Sequence, residues 1–215
     1  MADWVTVSSL ATAGGTLVLA IATFASVRSA NRAARVAEQG FLFGQRPLLM
    51  PSRLDDPTEK IMWADEHWAH IDGGRASVEL TDGNVYLAAS LRNVGNGTAV
   101  LQGWRPSTVK LAATREMPDL SEFRPQGRDL YVPSGDIGFW QAAIRDASDP
   151  GYEDITRAIT ERSIFTVDLL YSDHEGGQRA IGRFVLAPRD SEQWLLSVAR
   201  HWNIDRPNPR PTRDK

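Results

Sequence analysis

Twenty-four consecutive residues near the start of the chain, Trp4 to Val27, carry no charge. An α-helix rises about 1.5 Å per residue, so a helix of this length spans roughly 36 Å, more than the ~30 Å hydrocarbon core of a bilayer. Serine and threonine dilute the apolar residues, but their hydroxyls can bond to backbone carbonyls of the same helix. Residues 1–27 are therefore predicted to form a transmembrane helix with a short N-terminus.

The charges on either side of this run predict its orientation. Arg28, Arg32 and Arg35 follow it, whereas Asp3 is the only charged side chain before it. By the positive-inside rule, the N-terminus crosses the membrane and the bulk of the chain stays in the cytoplasm. Trp4 would then be an aromatic anchor at the outer interface. Two alternatives stay open, a buried helix of a soluble protein and a signal peptide, although a signal peptide normally has a basic n-region.

Residues 28–44 are predicted to form a juxtamembrane helical connector. Its three arginines follow the spacing i, i+4, i+7 and so share one helix face. Such a face can attract anionic lipid headgroups, although the simpler interpretation is that the arginines only determine topology. Gly40 and Gly44 are expected to break the helix, and the folded domain is expected to begin near Gln45.

Small residues recur at every fourth position of the membrane run. Spacing of this kind lets helix backbones approach closely in lipid. It is compatible with pairing with a second copy of the chain, as a homo-oligomer, or with another membrane protein, but small residues are frequent in any membrane span and need not indicate association. The residues are Ser8, Thr12, Thr16 and Ala20.

The composition of the 215-residue chain excludes several classes of function. The 24 basic and 27 acidic residues leave no basic excess, so nucleic acid is not an expected partner. Cysteine is absent, which excludes disulfides, thiolate metal sites and a cysteine nucleophile. The common motifs for hydrolases, zinc proteases and nucleotide binding are also missing, and no cofactor is expected.

Two segments of the central region have the pattern of β-hairpins. Alternating apolar residues at 85–91 are followed by the turn sequence NVGNG, and residues 99–104 run back. The β-branched and aromatic residues at 163–172 are followed by DHEGGQ, and residues 179–187 return. Both pairs are predicted to be antiparallel.

Shorter apolar stretches complete a mainly β domain over residues 45–204. One short helix is predicted at 151–162 and a disordered tail at 205–215. The proline-rich region from Arg105 to Pro133 is interpreted as a solvated connection, with a projecting binding loop as the alternative. Strands punctuated by glycine and proline suggest an antiparallel immunoglobulin-like sandwich. The shorter strand candidates are 47–53, 75–80, 107–113, 136–144 and 194–202, and for the last of them, within 191–202, a helix is the alternative.

The segments LRNVGNGTAVLQGW, VPSGDIGFW and YSDHEGGQRAIGRFVL carry a resemblance. Together they resemble a group of uncharacterised single-pass membrane-anchored proteins of high-GC Gram-positive bacteria. In that group one N-terminal helix precedes an immunoglobulin-like β-sandwich. The resemblance covers residues 1 to about 205, and it implies a fold and a membrane location but no activity or catalytic residues.

The segment WADEHWAHIDGG, residues 63–74, holds the residue types that a divalent metal prefers. Asp65, His67, His70 and Asp72 are the candidate ligands. In a strand, alternate residues share a face, so Asp65 with His67 and His70 with Asp72 would point to opposite sides. The preferred interpretation is therefore a loop that carries polar and charged side chains and leads into a strand, and no metal is expected.

Two tryptophans frame this segment. Trp63 and Trp68 are expected to cover the edge of the sandwich. Exposed tryptophan is enriched in binding hot spots, so both are also candidate interaction residues.

These observations predict a membrane-anchored binding or scaffolding module with an unidentified protein partner and no catalytic activity. The alternative from a different class is a membrane-tethered metal-dependent hydrolase using Asp65, His67 and His70. A third possibility is an extracytoplasmic domain held by an uncleaved signal anchor.

Overall fold

The computed structural model describes residues 3–108, 116–189 and 193–206. The chain divides into two compact units, Met1–Gly44 and Gln45–Lys215. Within the described residues, the first unit contains one long helix, and the second contains eleven strands, one short α-helix and a single 3-10 turn.

The first unit is the helix α1 (Trp4–Gly44). The predicted break at Gly40 is wrong, because α1 continues through this residue to Gly44. An exposed helical glycine costs only about 1 kcal/mol relative to alanine, and the preceding residues favour helix. The predicted transmembrane and connector segments therefore form one continuous helix.

Helix α1 is long and apolar enough to cross a membrane. The candidate span is Val7–Glu38, and its most apolar 18-residue window has a mean hydropathy of 1.8 and no buried residue. The prediction that its hydroxyls bond to the helix backbone is confirmed. Thr12 donates to the Ser8 carbonyl at 2.9 Å, and Thr16 and Thr23 bond in the same way at 2.8 Å.

The second unit is mainly antiparallel β, as the sequence predicts. Every strand ladder in the described part of this unit is antiparallel. The elements are β1 (Leu49–Pro51), β2 (Glu59–Met62), β3 (Trp68–Ile71), β4 (Arg75–Thr81), β5 (Asn84–Asn93), β6 (Ala99–Ser107), β7 (Arg124–Val132), β8 (Ile137–Ile144), α2 (Tyr152–Thr160), β9 (Phe165–Ser172), β10 (Ala180–Pro188) and β11 (Trp194–Asn203).

Nine of these strands form one curled sheet. Strand β5 pairs with β8 along one edge. Along its other edge, its first part pairs with β4 and its last residues pair with β1. From β4 the order continues β11-β10-β9-β6-β7. Strand β7 therefore ends one side of the sheet, and β8, beyond β5, ends the other. A side chain joins these two strands, because the Gln126 side-chain amide donates to the Gln141 backbone carbonyl at 2.8 Å. Strands β2 and β3 form a separate two-stranded hairpin.

One of the two predicted hairpins is confirmed and the other is wrong. Strands β9 and β10 pair as expected, whereas β5 pairs with β1, β4 and β8, and β6 pairs with β7 and β9. The glycines between β5 and β6 are needed for close packing. A Cβ on Gly97 would lie 1.8 Å from the Gln45 carbonyl oxygen, and one on Gly95 would lie 2.3 Å from that of Arg46. The connection crosses to another part of the sheet along the domain's first residues.

The Asn93 side chain, fully buried at the end of β5, holds this connection in place. Its Oδ1 accepts from the backbone N–H groups of Leu48 and Gly95, each at 3.0 Å. Its Nδ2 donates to the carbonyls of Gly97 at 2.6 Å and Val132 at 3.0 Å. One amide therefore ties the first strand, the β5–β6 connection and β7 together.

Other predictions for this unit have mixed outcomes. The predicted helix at 151–162 is confirmed as α2, and 194–202 is confirmed as a strand. The interpretation of residues 105–133 as a connection is wrong for its second half, which forms β7. Residues 109–113 of the strand candidate 107–113 lie outside the described residues.

The predicted tail at 205–215 begins too early. The Asp205 carboxylate accepts from the Arg179 backbone N–H at 2.8 Å and lies 2.7 Å from its guanidinium. Asp205 is therefore tied to the β domain. Residues 207–215 of the predicted tail lie outside the described residues.

The concave side of the curled sheet is filled by large apolar side chains. Helix α2 contributes Ile155 and Ala158 to this core, which fixes it against the sheet. The largest core side chains that are almost fully buried are Trp140, Trp194, Tyr171, Phe165 and Phe184.

Candidate interaction surface

The hairpin of β2 and β3 covers the outer side of the curled sheet. Its inward side chains are Ile61, Ala69 and Ile71, which alternate along the two strands and are at most 4% exposed. They pack against Tyr86 and Ala88 of β5 in a second apolar cluster, separate from the main core. The hairpin is therefore held on the sheet by burial of its inner face.

Trp63, at the turn of the hairpin, belongs to this inner cluster. It is only 3% exposed, and its ring packs edge-on against Tyr86 at 5.3 Å. Its indole N–H donates to the Ala142 carbonyl of β8 at 3.0 Å. The expectation that Trp63 is an exposed interaction residue is therefore wrong, because its ring fixes the hairpin to the sheet.

Trp68 lies on the opposite, solvent-facing side of the hairpin. It is 47% exposed, and its cross-strand partner Met62 is 45% exposed. The next pair on this side is Lys60 and His70, both exposed. The Lys60 Nζ lies 4.2 Å from the centre of the Trp68 ring, a cation–π contact. These four side chains, Lys60, Met62, Trp68 and His70, are called the hairpin outer face.

The candidate metal ligands are engaged separately. The His67 Nε2 lies 2.9 Å from the Glu79 carboxylate, and its ring stacks on Tyr86 at 3.9 Å. Asp72 accepts from the Thr58 hydroxyl at 2.7 Å, and His70 lies on the hairpin outer face. Among the described residues, no group of three or more histidine or acidic side chains is placed to hold a metal. The arrangement therefore gives no support to the hydrolase alternative.

Asp65 has a structural role at the turn of the hairpin. Its carboxylate accepts from the Tyr86 hydroxyl at 2.7 Å and from the Arg145 side chain at 2.9 Å. These two hydrogen bonds lower the pKa of Asp65 to about 2, with the Tyr86 bond as the larger cause. The carboxylate is therefore ionised at neutral pH and ties the turn to β5 and to the end of β8.

Glu59, at the other end of the hairpin, lies over a short chain of hydroxyls. The Ser52 hydroxyl donates to Ser90 at 2.6 Å, and Ser90 donates to Glu59 at 2.9 Å. Burial raises the pKa of Glu59, although the Ser90 bond opposes the shift. Because Ser52 and Ser90 are buried, this chain of hydroxyls positions the hairpin and presents no exposed nucleophile.

A buried ion pair is a polar feature that the sequence analysis missed. Asp168 of β9 is fully buried and accepts two hydrogen bonds from Arg183 of β10, at 2.6 and 2.7 Å. Arg105 of β6 adds a third at 3.0 Å. The strand register places these three residues side by side across the sheet. An acidic residue inside the apolar strand FTVDLLYS was the available signal. Its three bonds make it part of the sheet's internal structure.

Helix α1 presents the other predicted site residues. Trp4 is 85% exposed, and Arg28, Arg32 and Arg35 are exposed on one face. No salt bridge joins these arginines to another side chain within the described residues of α1.

No protein-family model matches this chain, and no curated protein matches it significantly. The structural features that bear on function are therefore the exposed apolar helix, its arginines and the hairpin outer face.

Proposed function

We propose that this chain is a single-pass membrane protein in which α1 anchors a β domain that binds another protein. The observation that carries the proposal is the exposure of the apolar half of α1. Leu17, Leu19, Ile21 and Phe24 are each more than 60% exposed. Exposed apolar surface costs roughly 25 cal/mol per Å² in water, and this cost is removed when lipid surrounds the helix.

The proposed topology has the N-terminus outside and the β domain in the cytoplasm. Three arginines follow the apolar run and none precedes it in this sequence, an asymmetry that favours retention of the C-terminal side. In this topology Trp4 lies at the outer interface.

The proposed partner site is the hairpin outer face. Tryptophan and methionine are enriched in protein interfaces, and Trp68 and Met62 are exposed side by side. Lys60 and His70 flank them, so the partner we propose presents an apolar pocket bordered by carboxylates.

We also propose an immunoglobulin-like relationship for the domain. Its antiparallel strands and the crossing connection from β5 to β6 support this relationship.

Cell fractionation tests the membrane anchor. The full chain with a C-terminal tag is expected to stay in the membrane pellet after alkaline washing and to leave it only in detergent. The tagged domain should resist added protease in intact spheroplasts and be digested after lysis. Recovery in the soluble fraction without detergent would contradict the anchor. Digestion in intact spheroplasts would contradict the orientation and favour an extracytoplasmic domain.

Site-specific photo-cross-linking tests the partner site. A photoreactive phenylalanine derivative in place of Trp68 is expected to give a discrete cross-linked product in cells. The matched control is the same substitution at Ile164, which is 57% exposed and lies outside the hairpin. Equal labelling from both positions, or none from Trp68, would contradict the proposed site.

A further inference from the structure

The face of α1 that carries the arginines is both cationic and apolar. Arg28, Arg32 and Arg35 line a shallow groove together with Asn31, and Phe24 and Val27 line its other end. Successive helical residues turn by about 100°, so positions i, i+4 and i+7 stay within roughly 60° of one another. The groove therefore changes from apolar to cationic along one side of the helix.

The position of the arginines along α1 matches the headgroup layer. The uncharged run ends at Val27, so Arg28 lies about 1.5 Å beyond it and Arg32 about 7.5 Å beyond it. Each headgroup layer is about 5–7 Å thick, given the difference between the hydrocarbon core and the full bilayer. With the proposed anchor, Arg28 therefore lies at the inner edge of the headgroup layer and Arg32 at its outer edge, so the two side chains bracket the lipid phosphates. Arg35 lies a few ångströms further into water, within a Debye length of about 8 Å.

The positive charge of this face exceeds the negative charge near it along the described helix, where three arginines are followed by the single acidic residue Glu38. The acidic residues of α1 and its N-terminal flank are Asp3 and Glu38, and neither forms a salt bridge with the three arginines. A guanidinium presents a planar set of N–H donors that matches two phosphate oxygens at once. The face is complementary to a phosphate group attached to an acyl chain.

We propose that this groove binds one anionic phospholipid, with the phosphate on Arg28 and Arg32 and an acyl chain along Phe24 and Val27. The inference rests on the proposed membrane anchor and adds a specific lipid to it. If the arginines only determine the membrane orientation, their positive charge can lie on any face of the segment. A lipid site requires the charge on the same face of the helix as Phe24 and Val27.

A charge-relocated variant separates these two roles. The substitutions R28Q, R32Q and R35Q remove the charge from the groove. The substitutions A30R, A33R and A37R place the same number of arginines on the opposite side of the same helix segment. Because the number of arginines after the apolar run is unchanged, the topology should be preserved.

The experiment measures lipid selectivity around the full chain in vesicles. The chain is reconstituted into phosphatidylcholine vesicles containing a minority of phosphatidylglycerol, with a trace of either lipid carrying a spin label. Electron paramagnetic resonance then gives the labelled fraction immobilised by the protein. The native chain is expected to favour phosphatidylglycerol over phosphatidylcholine by about 5- to 30-fold, on the scale of one to two arginine–headgroup contacts of about 1 kcal/mol each. The charge-relocated variant is expected to lose most of this preference.

Two outcomes would overturn the lipid site alone. One is equal immobilisation of both lipids by the native chain, and the other is an undiminished preference in the charge-relocated variant. Failure of the chain to enter the vesicles, judged by its release in an alkaline wash, would overturn the membrane anchor as well.

Discussion

Replacing Asn93 with alanine should destabilise the β domain severely. The side chain is fully buried and makes four hydrogen bonds to backbone groups. Truncation removes the Asn93 Nδ2 donor from the carbonyls of Gly97 and Val132, both of which lie in buried residues. The backbone N–H groups of Leu48 and Gly95 belong to more exposed residues and can bond to water instead.

The expected loss of unfolding free energy follows from the backbone groups that lose Asn93 as a partner. Each buried polar group left without a partner costs about 1–3 kcal/mol, so the two carbonyls and the smaller contribution of the N–H groups give about 3–5 kcal/mol. For a domain of this size, each kcal/mol lowers Tm by about 2–4 °C, so a decrease of roughly 6–20 °C is expected. Because many folded domains are stable by only about 5–15 kcal/mol, this loss is a substantial fraction of the total stability.

Thermal unfolding of the full chain in a mild detergent, followed by near-ultraviolet circular dichroism of the tryptophans, measures this loss. Asn96→Ala is the matched control, because Asn96 is exposed in the same connection and should change stability by less than about 0.5 kcal/mol. Asn93→Asp separates hydrogen bonding from volume, since it keeps the shape and removes the donor. An Asn93→Asp variant as stable as the native chain would refute the reasoning.

Three further substitutions test other parts of the domain by the same thermal assay. Gly97→Ala should lower Tm because its Cβ would meet the Gln45 carbonyl oxygen at 1.8 Å, whereas Gly127→Ala, with nothing within 4 Å, should not; equal effects would contradict the close-packing argument. Trp63→Ala should cost about 3–5 kcal/mol, as expected for a buried tryptophan, and a loss below 1 kcal/mol would mean that the hairpin is fixed in another way. Asp65→Asn should be less stable than the native chain at pH 7. Because folding lowers the pKa of Asp65 from 3.8 to about 2, its contribution is present above pH 4 and is lost as the pH falls towards 2, so the Tm difference should narrow over that range; a constant difference would contradict the assignment.

The sequence predicted the strands better than it predicted their pairing. The β9–β10 hairpin followed from a polar, glycine-containing turn between two apolar runs. The same signal between β5 and β6 was misleading, because Gly95 and Gly97 look identical in sequence whether they form a tight turn or let another backbone pass. Strand β7 was missed because Pro125 and Gly127 are typical of loops, although proline is also tolerated in edge strands.

The two tryptophans of the hairpin illustrate a further limit of the sequence. Trp63 and Trp68 are five positions apart with similar neighbours, yet one is buried and the other is half exposed. The periodicity of two could have separated them, since Trp63 follows the inward Ile61 by two residues. Trp68 alternates with the inward Ala69. This periodicity applies only if β2 is recognised as a strand, and the segment EKIM, with two charged residues, has too little apolar signal to predict one.

The proposed membrane anchor lowers the affinity that the hairpin outer face needs in order to bind a partner. Four side chains form a surface smaller than a standard interface of about 800 Å² per partner, so binding in free solution would be weak. A partner confined to the same membrane meets this face at an effective concentration that can reach the millimolar range. Since the inner face is fixed by Trp63 and by Asp65, little ordering of the backbone is required on binding. With the proposed anchor, a rigid, small and exposed face is therefore suited to partners that are also held at the membrane.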